Sequence, residues 1–287
     1  MPELPEVEIV KRSLFKMINR AKIINIKIVN KKLRYRISRT FRQELIGKKI
    51  LKISRRSKYL LFYFKDKILL VHLGMTGKFF IKRFKDNKNF KTSFYYDLKI
   101  LTKHNHIYFF LNNKHVLIYN DVRKFGFLKV YNNKKINKIS FLKKLGPEPF
   151  SKKINLNYYK NFIQNKKKNI KSVLMDQTFI SGLGNIYVNE CLFISKINPS
   201  RECNSLKNKE ISNLIRNVKK ILKAAIFKGG SSIKDFEDMF GKKGNFQQFF
   251  CVYGKENKNC SRISCNGKIK RILVSGRSTF YCPDCQK

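Results

Sequence analysis

The chain has 287 residues, with 64 Lys and Arg against 18 Asp and Glu, for a formal net charge of +46. A hydrophobic content of 43% with 25 Phe is enough for two cores and excludes a disordered basic tail. No apolar run approaches the about 20 residues of a membrane span, and residues 1–20 carry Glu3, Glu6 and Glu8 instead of a signal core. A cytoplasmic, reduced protein with no membrane role is expected, its seven Cys being thiols or metal ligands.

So large a positive charge points to a polyanion, nucleic acid before anionic membrane. The excess is mostly Lys and comes with abundant Asn, Ile, Phe and Tyr, which an AT-biased genome enriches without selection for binding. Charge therefore supports nucleic-acid binding without placing the site.

The chain opens Met1-Pro-Glu-Leu-Pro-Glu-Val-Glu8. Methionine aminopeptidases cut before small second residues, so processing would leave Pro2 as a secondary amine beside Glu3. Such an amine condenses with an aldehyde carbon to an iminium whose charge persists at any pH and which draws electrons from that carbon. A carboxylate one residue away can move protons there. The same residues also suit a helix start, with Pro5 in the first turn and acids at its positive end.

Val7, Val10, Leu14 and Ile18 recur at helical spacing and predict an amphipathic helix over 5–20. Short strands are predicted at 23–29, 50–54, 59–64, 68–73, 94–101, 106–111, 115–119 and 127–131, a pattern for a β-sandwich or barrel. Lys58 precedes the apolar run at 59–64 and is either a solvated strand end or a cation held at a reacting centre. His72-Leu-Gly-Met-Thr-Gly77 puts Met75 in a Gly-flanked turn. Asp121-Val-Arg-Lys-Phe-Gly126 puts Arg123 and Phe125 on one face of an extended segment. On loop tips these three side chains can wedge into a DNA stack, Arg123 bonding a base edge. Core packing is the commoner use of Met and Phe. Residues 82–91, rich in Lys, Asn and Phe, read as a surface loop.

Residues 132–150, with Gly146-Pro-Glu-Pro149, read as a linker. Helices are predicted at 156–164, 170–178 and 186–194. A long one is marked by Ile211, Leu214, Val218, Leu222 and Ala225 and ends at Gly229-Gly230. Lys166, Lys167, Lys168 and Lys171 form a basic run before the Gly-rich turn, for which a solvated charged face is the plain alternative. In Ser181-Gly-Leu-Gly-Asn-Ile-Tyr187 the glycines allow a tight turn and Asn185 opens the next helix. Backbone amides there suit a phosphate, although a plain interhelical turn has the same signature. The segment 229–236 offers amides and hydroxyls to close over a small planar ligand. Cys260 and Cys265 have four residues between them, Cys282 and Cys285 two, and sixteen residues lie between the pairs. Two paired thiolates around a hairpin of 269–275 and 277–281 read as one structural Zn2+ site. Cys191, Cys203 and Cys251 read as buried apolar residues.

Together and in this order, the motifs at 1–8, 56–61, 72–77, 123–126, 145–149, 174–176, 182–187, 229–236 and 276–286 make the chain resemble the bacterial formamidopyrimidine-DNA glycosylases. The resemblance implies an α+β fold. Its parts would be an N-terminal catalytic β-sandwich with a flanking helix (1–133), a linker (134–150), a helix-two-turn-helix domain (151–250) and a zinc-finger hairpin (251–287). It implies a monomer that excises oxidised purines, 8-oxoguanine and formamidopyrimidines, from double-stranded DNA and then cleaves the abasic site. Pro2 would be the nucleophile, Glu3 the proton shuttle, Lys58 an aid to β-elimination and Arg277 to δ-elimination. Met75, Arg123 and Phe125 would fill the gap left by a flipped base. Asn185, His104, Lys166, Lys171 and Tyr253 would contact DNA, and Ser231, Ser232 and Lys234 would cover the lesion. The family usually has two residues in the first Cys knuckle and Pro where Val122 stands, and is shorter around 82–103. The rivals are the sister enzyme for oxidised pyrimidines, which usually carries Gly where Leu4 stands, and a non-catalytic zinc-containing nucleic-acid binder.

Overall fold

The computed structural model describes residues 2–83, 89–91 (backbone only), 102–231 and 246–287. They group into two compact units, one of residues 1–143 with 228–247 and one of 144–227 with 248–287.

In the first unit, α1 (Leu4–Ile18) begins one residue earlier than its apolar periodicity predicts, because Glu3 and Glu6 form a reciprocal capping box across Leu4 and Pro5. There follow β1 (Ile23–Ile28), α2 (Phe41–Leu45), β2 (Lys52–Arg56), β3 (Tyr59–Tyr63), β4 (Lys67–His72), β5 (Gly77–Arg83), β6 (Asn89–Lys91), β7 (Asn105–Leu111), β8 (His115–Asp121), β9 (Phe127–Asn132) and α3 (Ser140–Lys143). One antiparallel sheet runs β1-β7-β8-β5-β6 and the other β2-β3-β4-β9. Their inner faces share one core with Val7, Val10 and Leu14 of α1, and Phe62 meets Phe79 edge-on across the sheets at 5.9 Å. This is the sandwich with a flanking helix that the strand spacing suggests.

Strand β5 has no clear signal in the sequence, because both of its faces are covered and alternation disappears. Phe79 and Ile81 enter the shared core while Phe80 joins Val116 and Ile118 on the opposite side. Part of the expected loop at 82–91 is strand: β6 pairs Ile81 with Phe90. The strand predicted at 94–101 lies outside the described residues. Within the segment read as a linker, Ile136, Ile139, Phe141 and Leu142 pack on Leu61, Ile68 and Leu70 of the four-stranded sheet.

The second unit contains α4 (Leu156–Ile163), α5 (Ile170–Met175), α6 (Asn185–Ile194), α7 (Asn208–Phe227) and the hairpin β10 (Lys270–Val274) and β11 (Arg277–Tyr281). Helix α6 is enclosed, with Ile186 to Phe193 all buried. Helix α5 stops at Met175, short of the predicted 178, because the Asp176 carboxylate accepts the Thr178 N–H at 2.8 Å and its hydroxyl at 2.7 Å, drawing the backbone into a turn. No helix among the described residues is long and apolar enough to cross a membrane.

Candidate functional site

In the first unit the chain start is enclosed. Pro2 is buried and Glu3 is 3% exposed. Glu6 binds in two directions: Oε2 accepts the Glu3 N–H at 2.8 Å, while Oε1 accepts the Ser231 N–H at 2.9 Å and its hydroxyl at 3.0 Å. The carboxylate of α1 thus anchors both Glu3 and the first of the three predicted loop residues. Ser232 and Lys234 lie outside the described residues.

Lys58 occupies the two-residue tip between β2 and β3, where Ser57 has a left-handed φ of 55°. It is 7% exposed, so the solvated strand end fails. A chain of bonds ties this tip to α1: Arg55 donates Nη1–H to the Ser57 carbonyl at 2.9 Å and Nε–H to Glu8 at 3.1 Å. Burial works against the Glu8 charge, but Lys11, Arg12 and Arg55 outweigh it and lower its pKa.

Met75 and Phe125 are 40% and 44% exposed, so neither is a core residue. The Arg123 guanidinium lies over the Phe125 ring at 4.5 Å. The two turns that carry them meet backbone to backbone. Gly74 has φ +64°, and a Cβ there would stand 2.5 Å from the Gly126 nitrogen; one on Gly126 would collide with the Tyr119 hydroxyl. The His72 Nδ1 accepts the Gly74 N–H at 3.1 Å, its ring stacks on Phe127, and burial, then Lys58 and Arg34, pull its pKa down to about 4. The half-buried His104 ends a single helical turn before β7 whose Thr102 and Lys103 are exposed.

In the second unit Asn185 is the first residue of α6, as expected, and donates to the Ser278 carbonyl at 2.9 Å. The preceding turn is held by Gln177, which sequence reasoning missed: Oε1 accepts the Gly182 N–H at 2.8 Å and Nε2 donates to the Leu183 carbonyl at 2.8 Å. A single polar side chain between helices leaves no periodic trace. Lys166 is half-buried, its Nζ over the Phe162 ring. Lys171 is fully enclosed, so the alternative of a solvated charged face fails for it. It donates to Thr279 Oγ1 at 2.6 Å and to the Ser278 carbonyl at 3.2 Å, beneath the strand that carries Arg277. Arg277 itself is exposed at the start of β11. The half-buried Tyr253 packs on Phe280, and its N–H, with those of Cys251 and Val252, goes to the buried Glu190.

The four predicted cysteines converge. Their sulfurs lie within 4.8 Å of one another, Cys260 to Cys285 at 3.8 Å and Cys265 to Cys282 at 3.5 Å. Tetrahedral zinc thiolate bonds of about 2.3 Å put sulfurs about 3.8 Å apart, so the donor set fits the ion in number, chemistry and spacing. Burial, then the neighbouring sulfurs, push the Cys285 thiol up to about 12; a divalent cation reverses that balance.

Residues 1–128 match the formamidopyrimidine-DNA glycosylase N-terminal domain and residues 145–237 the formamidopyrimidine-DNA glycosylase H2TH domain. The chain is 41% identical over 298 residues to a formamidopyrimidine-DNA glycosylase of Bartonella tribocorum, covering all of both chains. It is equally similar to that of Rickettsia conorii, over 100% of this chain and 99% of the other. The chain belongs to the formamidopyrimidine-DNA glycosylase family. Among solved structures it is similar to Lactococcus lactis Fpg in complex with abasic-site DNA, with a TM-score of 0.86, 37% identity and 99% of each chain covered. It is also similar to a mutant of that protein with Fapy-dG DNA, at 0.88, 37% identity and 100% of each chain. A further complex of the Lactococcus protein contains an oxidised pyrimidine. Against the usual glycosylase pattern, the lengthened knuckle places Arg262 on the carboxyl end of α6. There Nη2 donates to the Phe193 carbonyl at 2.6 Å, and the guanidinium sits 4.7 Å over the Phe193 ring.

Proposed function

We propose that this chain is a bifunctional glycosylase and abasic-site lyase of base excision repair, acting on oxidised purines in duplex DNA. The observation that carries the reading is the buried pair Pro2 and Glu3 at the head of α1, in a chain that matches a formamidopyrimidine-DNA glycosylase over all of that relative's length. Removal of Met1 frees the Pro2 amine. The amine attacks C1′ of the damaged nucleotide, the glycosidic bond breaks, and the base leaves with a proton. The nitrogen lone pair then forms the iminium as the sugar ring opens. Glu3 serves the protons at the sugar. Loss of a C2′ proton and then of a C4′ proton expels first the 3′ and then the 5′ phosphate, with Lys58 assisting the first elimination and Arg277 the second. Hydrolysis of the iminium returns Pro2.

The substrate sugar is inaccessible in a stacked duplex, so the nucleotide must flip out. Met75, Arg123 and Phe125 fill the space it leaves, Arg123 facing the orphaned cytosine. Ser231, Ser232 and Lys234 cover the lesion, and His104, Lys166, Asn185 and Tyr253 meet the DNA. Lys171, being enclosed, serves by supporting the Arg277 strand. Cys260, Cys265, Cys282 and Cys285 hold one structural Zn2+, which fixes the knuckles flanking that hairpin. The protein works in the cytoplasm as a monomer, with residues 1–133 as the catalytic domain, 134–150 as linker, 151–250 as the DNA-binding domain and 251–287 as the zinc finger.

The test is borohydride trapping on duplexes carrying 8-oxoguanine opposite cytosine, thymine glycol, or no lesion. A covalent band with 8-oxoguanine, attached through Pro2, is expected. A band mainly with thymine glycol would move the chain to the pyrimidine class. No band from Met1-free, zinc-loaded protein would leave a binder without chemistry. Glu3→Gln should bind lesion DNA without excising; excision at the wild-type rate would remove Glu3 from the mechanism.

A further inference from the structure

Two residues outside every role assigned so far join the turns that bear the wedge. Asp121 ends β8 fully buried. Its Oδ1 accepts the Thr76 hydroxyl at 2.5 Å, and its Oδ2 accepts the Gly126 N–H at 2.8 Å and the Tyr119 hydroxyl at 3.2 Å. Its carbonyl is bonded to His106 Nε2 at 2.7 Å. Thr76, next to Met75, spends its one hydroxyl proton on Asp121, and its oxygen accepts the N–H of Arg123 at 3.0 Å. The hydroxyl therefore bridges the Met75 turn to the Arg123 backbone, and the carboxylate closes the far end of the second turn at Gly126. The backbone contact between Gly74 and Gly126 completes the junction. Val122, exposed in the middle of the second turn, has no ring to restrict its φ as the family's usual Pro has. In this chain the backbone path to Arg123 depends on these side-chain bonds all the more.

We propose that Thr76 and Asp121 are positioning residues that lock the Met75 and Arg123–Phe125 turns into a single rigid wedge, so that base eversion, and not the chemistry at the sugar, depends on the Thr76 hydroxyl. The proposal rests on the wedge role given to Met75, Arg123 and Phe125 above. A carboxylate that must satisfy three donors in a buried position has one orientation. A wedge inserted into stacked bases must keep its shape while it displaces them, since binding energy spent on ordering a loose loop is lost to flipping.

The variants are Thr76→Val, which keeps the shape and deletes both bonds, and Thr76→Ser, which keeps the hydroxyl. Each is compared with wild type in single-turnover excision of 8-oxoguanine opposite cytosine. Eversion is followed by stopped-flow fluorescence of a 2-aminopurine 3′ to the lesion. Each is also tested on strand cleavage at a preformed abasic site, where no base has to be unstacked. Thr76→Val should lower the eversion rate and the excision rate at saturating enzyme together, by about tenfold for two lost hydrogen bonds. Its abasic-site cleavage should stay within about twofold, and Thr76→Ser should restore eversion. Wild-type eversion in Thr76→Val would overturn the proposal. So would an equal loss of lesion excision and abasic-site cleavage, which would mean general damage to the fold, or failure of Thr76→Ser to restore the rate. Should Thr76→Val not fold, Asp121→Asn replaces it. Its carboxamide can still accept from Thr76 but meets Gly126 with a donor, so the same selective loss of eversion is expected, and its absence overturns the proposal. Failure of the underlying functional reading looks different: wild type itself would not excise 8-oxoguanine.

Discussion

Lys171→Met isolates one enclosed charge. The ammonium has no solvent access and gives its protons to Thr279 Oγ1 and the Ser278 carbonyl. Burial, with Arg277 nearby, pulls its pKa from 10.5 to about 8. That displacement is a differential of about 3 kcal/mol between the folded and unfolded chain. The folded pKa is the lower one, so between pH 8 and 10.5 the unfolded chain holds a proton that the folded chain has released. Stability must climb as pH rises through that window. Methionine cannot titrate, so the wild-type stability minus that of Lys171→Met should grow by about 3 kcal/mol between pH 7.5 and 10.5, the other Lys and Tyr cancelling in the difference. The chain has no Trp, and tyrosinate quenches fluorescence at high pH, so guanidinium unfolding is best followed by far-UV circular dichroism with zinc present. A difference that stays flat across the window would refute the reasoning. It would mean either that the ammonium is solvated in solution or that the ladder of Thr279 and Ser278 offsets its burial completely.

The cysteine cluster should carry about one zinc per chain, and Cys285→Ser should lose it together with lesion-DNA affinity, read by metal analysis and gel shift. Burial lowers the His72 pKa to about 4, so between pH 6.5 and 4 only the unfolded chain takes up that proton, and acidification through this window costs stability. His72→Phe, which keeps the stack on Phe127, should flatten that acid slope in thermal melts. Arg262→Ala should destabilise the chain by about 1–3 kcal/mol through loss of the charged bonds to the Phe193 and Ile194 carbonyls, and should speed zinc release to a chelator; unchanged release would detach the lengthened knuckle from α6.

What the sequence alone determined is what local pattern and chemistry can write. The periodicity of Val7, Val10 and Leu14 specifies α1, and the spacing of Cys260, Cys265, Cys282 and Cys285 specifies a four-sulfur cluster that the fold then assembles. The run of motifs from Pro2 onward identifies the family, because side chains that act on one substrate leave their order in the chain. The tertiary structure decided everything that depends on which groups end up without water. Strand β5 is silent in the sequence because covering both of its faces removes the alternation. Lys171 reads like its solvated neighbours until β11 closes over it. Thr76 and Asp121 are 45 residues apart and carry no spacing signal; only the pairing of β5 with β8 brings a hydroxyl and a carboxylate together and makes one wedge of two turns. Burial and long-range pairing are properties of the folded chain, and the strength of a polar contact depends on both.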